Sequence, residues 1–505
     1  MKYEAREQIR VKHTQRQSKK RKMTSRLVVL SVALLVAYSL SGIVWRLARI
    51  YVYNVPSAPH ATLDNTQRPL RIGLIGAASI APHALLFPSL SVAEVTVVAV
   101  GARSVSRAAA LAKRWGIPIH GDYRMVLHHP DVDAVYVALI NGAHYKWAAR
   151  ALRAGKHVLC EKPLTNNEAE ARSLLALAQR HRRVLLEGYH NLHHPLATRM
   201  REIVRGGELG ELVHLHITTG LPAPGLALPA LRRKLSSLFG TADAGAAVAS
   251  RPRSVSAKMN ATLGGGRFLS QGCYAVSMAR FLAERRRTDA PPTVLDAWME
   301  EDAPGSKADV STRAIVRFPT TRVLATLEHS SLVPAGFNVH ATFTNGSFYA
   351  RNFLFPFIYH HLRVTPAAAG GGRFEQHYKA RPGRVRTDRS CVALTARRSW
   401  SAMLGPVHSC SGGAAAVAAE AESSFALQLR AFAAAIRLHA LRPRLGALTW
   451  LTHPSQHAEM RALERSVAAA ALPDTSAESA VRNMALLDEI YDRAGLGKRP
   501  SMSDS

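Results

Sequence analysis

Short apolar runs alternate with helical segments between residues 70 and 189, and this alternation limits the possible folds more than any other feature. The runs are rich in β-branched residues, as in RIGLIG (71–76), VTVVAV (95–100), AVYVALI (134–140) and HVLC (157–160). Uninterrupted apolar strands separated by helices are typical of a parallel sheet that helices cover on both faces. The sequence therefore predicts an α/β fold with a doubly wound, Rossmann-type sheet over residues 70–189.

The turn after the first strand has part of a dinucleotide-binding fingerprint. Gly76 is followed by AASIA (77–81), whereas a full G-x-G-x-x-G motif has a second glycine at position 78. The small side chain of Ala78 still allows a helix N-terminus to approach a pyrophosphate. We therefore predict that Gly76, Ala78, Ser79 and Ile80 contact a dinucleotide.

The loop after the second strand indicates which dinucleotide is bound. An NAD site places Asp or Glu here to bind the ribose 2′-hydroxyl, but no carboxylate occurs between Val95 and Gly121. Arg103, Ser104 and Arg107 stand in its place. The planar guanidinium of arginine suits a 2′-phosphate, so the sequence favours NADP over NAD.

The segment AGKHVLCEKP (154–163) closely resembles the hallmark of the Gfo/Idh/MocA oxidoreductase family. EGYHNLHHP (187–195) and GGGRFLSQGCYAV (264–276) continue the resemblance, which is greatest to NADP-dependent D-xylose 1-dehydrogenases and dimeric dihydrodiol dehydrogenases. It implies a second α/β domain, residues 190–500, with an open, mostly antiparallel sheet, and a homodimer. It also implies an enzyme that transfers hydride between NADP and a CH–OH group of a sugar or a cyclic diol.

The resemblance implies two catalytic residues. Lys162 would lie beside the nicotinamide and polarise the substrate oxygen, and Tyr274 would act as the general base, its deprotonation eased by Lys162. Ser270, four residues before Tyr274, and His194 are expected to contact the substrate. The remaining cofactor contacts are expected from Asn141, His144, Glu161 and Lys162.

Two positions depart from the family pattern. Ser270 stands where relatives carry Asp, and a hydroxyl cannot supply the charge of a carboxylate. Leu192 stands where relatives often carry Arg. These departures keep an alternative open, in which the chain is a non-catalytic cofactor-binding or scaffold protein. His190, His193 and His194 lie close together but lack a carboxylate or a metal-ligand spacing, so we expect no metal site.

The N-terminus predicts a membrane anchor. Ten Lys or Arg and two Glu occupy residues 1–26, and nineteen uncharged, largely apolar residues follow at 27–45. A helix of that length approaches the thickness of the hydrocarbon core. The positive charge before the span places the N-terminus in the cytosol. Residues 46–69 are then predicted to form a stalk between this span and the domain that begins at residue 70. A buried globular helix and a cleaved targeting segment remain alternatives for 27–45.

Composition sets further limits on the rest of the chain. The formal net charge is +31, yet no basic helix interleaved with aromatic residues occurs, which argues against a nucleic-acid partner. Segments 221–257 and 365–422 are rich in Ala, Gly, Pro and Arg and predict surface insertions. Cys391 and Cys410 lie in the second segment, either as a disulfide or as free thiols.

Overall fold

The computed structural model describes residues 68–220, 259–332, 336–356, 360–367, 372–375, 423–441 and 475–501. The basic tail, the predicted span 27–45, nearly all of the stalk, segment 221–257, Cys391 and Cys410 lie outside these residues. Among the described residues, no helix combines the length and the apolar character needed to cross a membrane.

Six parallel strands form the first sheet, in the order β3-β2-β1-β4-β5-β6. The strand order reverses between β1 and β4, which lie side by side with Ile75 opposite Val137. Ligands of such sheets bind at the carboxyl ends of the strands beside this reversal. The predicted Rossmann-type fold is confirmed. The strands are β1 (Leu70–Ile75), β2 (Val95–Gly101), β3 (Ile119–Gly121), β4 (Ala134–Val137), β5 (His157–Cys160) and β6 (Leu185–Glu187).

The helices on this sheet begin at residues that the local sequence supplies. Ser104, Asp122 and Asn167 each accept a hydrogen bond from a backbone N–H of the following first turn, as N-caps do. The first helix instead begins with a π-helical turn behind Pro82. The helices are α1 (Pro82–Leu86, continued by Phe87–Ser89), α2 (Val105–Trp115), α3 (Tyr123–His128), α4 (Asn141–Arg153) and α5 (Glu168–Arg180).

Eight strands form the second sheet, in the order β14-β13-β12-β11-β7-β10-β9-β8. Among the described strands of this sheet only β7 and β10 pair in parallel, so the predicted open, mostly antiparallel sheet is confirmed. The strands are β7 (Leu212–Thr219), β8 (Thr293–Glu301), β9 (Asp309–Phe318), β10 (Val323–Ser330), β11 (Asn338–Phe343), β12 (Gly346–Arg351), β13 (His361–Pro366) and β14 (Arg373–Glu375).

One face of the second sheet packs on helices and buries the largest apolar core of the described residues. Buried and more exposed residues alternate along β10 and β11, as expected for a sheet with one covered face. The covering helices are α6 (Pro195–Gly206), α7 (Cys273–Ala283, preceded by a π-helical turn Phe268–Gly272) and α9 (Ala477–Arg493).

The C-terminal helices cross the predicted domain boundary. Helix α8 (Ser424–Leu441) buries Phe425, Leu429 and Phe432 in the core of the first domain, and α9 contributes to the cores beside both sheets. Helix α8 thus packs with the first domain although it falls within residues 190–500, because an apolar stripe does not specify which sheet it covers. Strand β14 lies within the segment 365–422.

Candidate active site

Gly76 forms the tightest backbone approach at the strand reversal. It follows β1 with φ of +111°, and a Cβ at this position would lie 2.3 Å from the carbonyl oxygen of Ala138. Glycine is required here because an L-residue is strained at this φ and has no space for its side chain. The turn after Gly76 therefore packs closely against the residues that follow β4.

The predicted cofactor residues after β2 contact this turn. The Arg107 guanidinium donates a hydrogen bond to the carbonyl of Ala77 at 3.0 Å, and Ser104 Oγ accepts the backbone N–H of Arg107 at 3.4 Å. Arg103 is exposed at the same edge. Ser79 is exposed in the turn, whereas Ala78 and Ile80 are half-buried. The structure thus brings the two predicted cofactor segments together.

A pocket of about 500 Å³ opens beside Arg103, at the carboxyl ends of β2 and β3. Its walls combine cations with aromatic rings, and the Tyr123 and Trp147 rings meet edge to face at 4.6 Å. Asp122 also borders it but accepts the Met125 N–H at 2.8 Å as a helix cap. Arg103 is the only lining residue of this pocket that the sequence predicted as a cofactor contact; its other charged and aromatic lining residues are Asp122, Tyr123, Arg124, Lys146, Trp147 and Arg150.

Lys162 lies beyond the end of β5 and is fixed by two contacts. Its ammonium donates a hydrogen bond to the backbone carbonyl of Ser270 at 2.5 Å. The same nitrogen lies 4.6 Å from the centroid of the Tyr274 ring. The Lys162–Pro163 peptide bond is cis. The two predicted catalytic residues, 112 positions apart in the sequence, are therefore neighbours in the structure.

Glu161 is a buried acid beside Lys162. The phenol of Tyr136, on β4, donates a hydrogen bond to Glu161 Oε1. Burial raises the pKa of Glu161, while the charge of Lys162 and the Tyr136 hydrogen bond oppose that rise. Tyr136 was not among the predicted site residues, although a tyrosine inside an otherwise apolar buried strand signals that its hydroxyl needs a partner.

Tyr274 lies in the first turn of α7 and is 6% exposed. Within the described residues its phenol oxygen makes no hydrogen bond, and its ring meets Tyr189 and His190 edge to face at 5.5 and 6.1 Å. Burial and the nearby Glu161 raise the pKa of Tyr274 well above its usual value. The prediction that Lys162 eases deprotonation of this phenol is therefore wrong for this structure, because the ammonium faces the ring rather than the oxygen.

Ser270 lies in the π-helical turn before Tyr274. Its hydroxyl donates to the carbonyl of Gly266 at 2.7 Å, so the side chain is used within its own turn, whereas the predicted role was substrate contact. Its backbone carbonyl instead receives Lys162. The contact with Lys162 is thus made by the backbone of Ser270 and not by its side chain. The replacement of Asp by Ser in the sequence does not reveal a backbone contact.

His144 and Asn141 connect the site to its surroundings. His144 is buried, with Nδ1 2.7 Å from the carbonyl oxygen of Pro163 and Nε2 3.2 Å from that of Leu139. Burial lowers its pKa to about 4, so the imidazole is neutral. Asn141 Nδ2 donates to the carbonyl of Gly264 at 3.0 Å. Both residues therefore position the loops that meet at Lys162.

His194 is placed differently from its predicted contact with substrate. It is 1% exposed, and its Nδ1 accepts the backbone N–H of Leu196 at 3.1 Å as the N-cap of α6. The ring meets His360 edge to face at 5.2 Å. Across the described part of the chain, no group of three or more His, Cys, Asp or Glu side chains has the arrangement of a metal site.

Two family models match the chain. The model described as "Oxidoreductase family, NAD-binding Rossmann fold" covers residues 70–189. The model "GFO/IDH/MocA C-terminal domain" covers residues 197–349. The two matched segments correspond to the first sheet domain and to most of the second.

Several curated proteins are similar in sequence. A dTDP-3,4-didehydro-2,6-dideoxy-alpha-D-glucose 3-reductase of Saccharopolyspora spinosa is 40% identical over 156 residues, 31% of this chain and 47% of that protein. An oxidoreductase of Rhizobium meliloti is 32% identical over 299 residues, 59% of this chain and 78% of that one. The D-xylose 1-dehydrogenase (NADP(+)) 2 of Haloferax volcanii is 31% identical over 226 residues, 44% and 61% of the two chains. The chain thus spans about half the length of the reductase and more of the other two.

Solved structures share the fold. A 3-ketoreductase from Actinomadura kijaniata, in complex with NADP and TDP-benzene, has a TM-score of 0.57 at 22% identity, covering 84% of this chain and 98% of that one. The aldose-aldose oxidoreductase from Caulobacter crescentus has a TM-score of 0.57 at 16% identity, covering 85% and 98%. Two sheet domains joined in this way are therefore a recurrent architecture.

Proposed function

Because this chain belongs to the Gfo/Idh/MocA family of oxidoreductases, we propose that it catalyses NADP-dependent hydride transfer to or from a small, sugar-like substrate. The observation that carries this proposal is the contact between the Lys162 ammonium and the Tyr274 ring. This contact joins a cation and a phenol beyond the carboxyl end of β5, the neighbour of β4, and the carboxyl ends of such strands are where Rossmann-type sheets bind their ligands. A proton source and a positive charge at one point are what carbonyl reduction requires of the protein.

NADP is the cofactor that the residues present fit. The glycine turn at Gly76 follows β1 at the strand reversal, as a pyrophosphate-binding turn would require, and we propose that Arg103 and Arg107, which follow β2, bind the 2′-phosphate. The pocket beside them is lined with arginine, lysine and two aromatic rings, which suit an adenosine phosphate. The Haloferax relative is an NADP(+) enzyme by name, and the Actinomadura structure contains NADP.

In this proposal Tyr274 donates the proton and Lys162 stabilises the developing negative charge. When bound, NADPH supplies the hydride that reduces the carbonyl carbon. The phenol of Tyr274 gives its proton to the carbonyl oxygen, so that C=O becomes CH–OH. Lys162 stabilises the negative charge that develops on that oxygen. Burial and the nearby Glu161 raise the pKa of Tyr274, so the phenol is protonated before transfer.

We propose a sugar or a cyclic diol as the substrate class. The His190 ring stacks on Phe425 with centroids 3.8 Å apart and lies 6.0 Å from the Phe355 ring. His190 and Phe425 are buried, so these rings support the apolar side of Tyr274 from behind. The Haloferax D-xylose dehydrogenase and the trans-1,2-dihydrobenzene-1,2-diol dehydrogenases of Xenopus laevis and Mus musculus represent these two substrate classes.

Turnover by the full chain tests this proposal. NADP⁺ reduction is followed with a panel of aldoses and a trans-dihydrodiol, and NADPH oxidation with the corresponding lactones and ketones, each against NAD(H). We expect turnover with NADP(H) on a sugar or a diol, at least about tenfold faster than with NAD(H). Binding of NADPH without turnover on any panel member would favour a scaffold protein instead, the reading that the internally bonded hydroxyl of Ser270 supports.

The N-terminal sequence supports a further element of the proposal, a single-pass anchor at residues 27–45 with a cytosolic N-terminus. Its support is the uncharged nineteen-residue run behind ten basic residues. Alkaline carbonate extraction of membranes from expressing cells tests it. We expect the full chain in the pellet and a chain lacking residues 1–45 in the supernatant. Release of the full chain by carbonate would contradict the anchor.

We propose a homodimer that forms through the outer face of the second sheet. Trp298, Leu324 and Tyr349 are exposed by 55%, 39% and 40%, and strand pairing places them on the face turned away from the core. Light scattering of the purified chain should give twice the chain mass. Trp298→Glu should shift it to the monomer, while Arg114→Glu, on the first domain, should not.

A further inference from the structure

Glu187 is a buried carboxylate behind the loop that follows β5 and carries Lys162 (residues 161–164, the lysine loop), and the proposed proton transfer does not involve it. It ends β6 and is 1% exposed. Its Oε1 accepts the backbone N–H of Leu164 at 2.8 Å. Since Leu164 follows Lys162 by two residues, the carboxylate holds the backbone that carries the ammonium.

The second oxygen of Glu187 connects this loop to the helix of Tyr274. Glu187 Oε2 accepts a hydrogen bond from Asn483 Nδ2 at 3.1 Å. Asn483 Oδ1 in turn accepts one from the Arg280 guanidinium at 2.6 Å. Asn483 belongs to α9, and Arg280 shares α7 with Tyr274. A chain of hydrogen bonds therefore connects the loop of Lys162, through Glu187 and Asn483, to helix α7, which carries Tyr274.

We propose that Glu187 is a positioning residue that sets the separation of Lys162 and Tyr274 through Asn483 and Arg280. This inference rests on the proposed hydride-transfer function. The carboxylate acts through the backbone of Leu164 and through helix α9. A displacement of about 1 Å between reacting groups costs roughly a hundredfold in rate, so loss of this connection should lower kcat rather than weaken substrate binding.

The protonation state of Glu187 determines whether it can accept hydrogen bonds from both Leu164 and Asn483. Burial raises the pKa of Glu187 to about 7, against the opposing hydrogen bonds and the charges of Arg280 and Lys162. The other titratable groups that face it are neutral, because burial raises their pKa values: Cys160, Tyr189, Cys273 and Tyr274. A proton on Glu187 removes an acceptor from Leu164 or Asn483. We therefore expect the kcat of the wild-type chain to fall as the pH drops below about 7.

Glu187→Gln tests the carboxylate with nearly unchanged shape. The new amide can accept from Leu164 but then faces Asn483 Nδ2 donor to donor. We expect kcat to fall roughly tenfold to a hundredfold, with the substrate KM and the NADPH affinity within about threefold of wild type, and with the acid limb near pH 7 lost. An unchanged kcat would overturn the proposal.

A second substitution separates positioning from general damage to the fold. In the double variant Glu187→Gln/Asn483→Asp, the introduced amide can donate to the introduced carboxylate, which still accepts from Arg280. We expect this double variant to recover most of the lost kcat while its pH profile stays altered. A loss that the double variant does not recover would overturn the proposal. Glu375→Gln is the matched control: it neutralises another buried carboxylate, which pairs with Arg199 at 2.8 Å on the second sheet, and should lower stability without changing kcat.

The position of Lys162 can also be measured without turnover. Reductive methylation with formaldehyde and borohydride, followed by peptide mass spectrometry, reports how freely the Lys162 amine reacts. We expect a rate several-fold higher in Glu187→Gln than in wild type, and a return toward the wild-type rate in the double variant. Equal rates in all three chains would overturn the positioning role. Absence of turnover in wild type would overturn the proposed function alone.

Discussion

The Lys162 ammonium lies over the face of the Tyr274 ring, 4.6 Å from its centroid, and not against the phenol oxygen. A cation in this position is attracted by the ring with about 1–2 kcal/mol when water is partly excluded. The contact holds the two side chains together while the phenol keeps its proton. A protonated phenol beside a cation is arranged to donate its proton to a carbonyl oxygen.

Tyr274→Phe keeps the ring and its contact with Lys162 but removes the proton donor. We expect kcat to fall about 10²-fold to 10⁴-fold, because water must then supply the proton, while NADPH affinity stays within about twofold. NADPH oxidation and fluorescence titration measure the two quantities. Tyr349→Phe, which removes an exposed hydroxyl on the outer sheet face, is the control. Full activity in Tyr274→Phe would exclude the phenol as the donor.

Arg103→Ala should change cofactor preference rather than overall activity. A charge-assisted hydrogen bond to phosphate contributes about 1.5–3 kcal/mol. The kcat/KM for NADPH should therefore fall by roughly tenfold to a hundredfold, while that for NADH stays nearly constant. Arg114→Ala, at the other end of α2, should leave both unchanged. An equal loss with both cofactors would indicate that Arg103 does not contact a 2′-phosphate.

Gly76→Ala should abolish cofactor binding or unfold the first domain. The added Cβ meets the Ala138 carbonyl at 2.3 Å on a backbone with φ of +111°. Gly116→Ala is a matched control, since Gly116 also has positive φ, +65°, but has no atom within 4 Å of the added Cβ. The control should cost only about 1–2 kcal/mol of stability. NADPH titration and thermal unfolding compare the two, and equal effects would contradict the close approach at Gly76.

The buried neutral His144 should make the protein sensitive to acid. Burial lowers its pKa from 6.5 to about 4, so between these values the unfolded chain binds a proton that the folded chain does not. Stability contributed by this residue is present above pH 6.5 and falls as the pH drops toward 4, by up to about 3 kcal/mol.

His144→Gln should flatten this dependence in urea unfolding between pH 7 and pH 4.5. His120→Gln, at an exposed position on β3, should leave it unchanged. Other buried histidines, including His193 and His329 with pKa values lowered to about 3, maintain a residual slope in every variant. An identical slope in wild type and His144→Gln would show that the protonation of His144 is not linked to folding.

Features that depend on residues close together in the sequence were predictable. The strands around Gly76 and Lys162 follow from local apolar runs and turn residues, and the family motif relates Lys162 to Tyr274. The strands and the motif could be predicted because residues adjacent in the sequence define them.

Contacts between distant segments were not predictable from one sequence. The Tyr136 bond to Glu161 and the Glu187 bond to Leu164 join strands and loops whose register only the folded sheet defines. The π-helical turn Phe268–Gly272 changes where the Ser270 hydroxyl points, and no spacing in that segment indicates a π turn rather than an α turn. For the same reason, only the folded structure shows how Lys162 is oriented relative to Tyr274.

The most direct test of this account is single-turnover hydride transfer by the full chain, with and without the lysine. NADPH is bound first, its affinity is measured by fluorescence, and its oxidation is then followed after mixing with the carbonyl substrate that the panel identifies. Lys162→Met keeps the length of the side chain but removes its charge. We expect NADPH affinity within about threefold and a transfer rate lowered by about 10²-fold to 10³-fold. Transfer by Lys162→Met at the wild-type rate would contradict the central claim that Lys162 and Tyr274 form the catalytic pair.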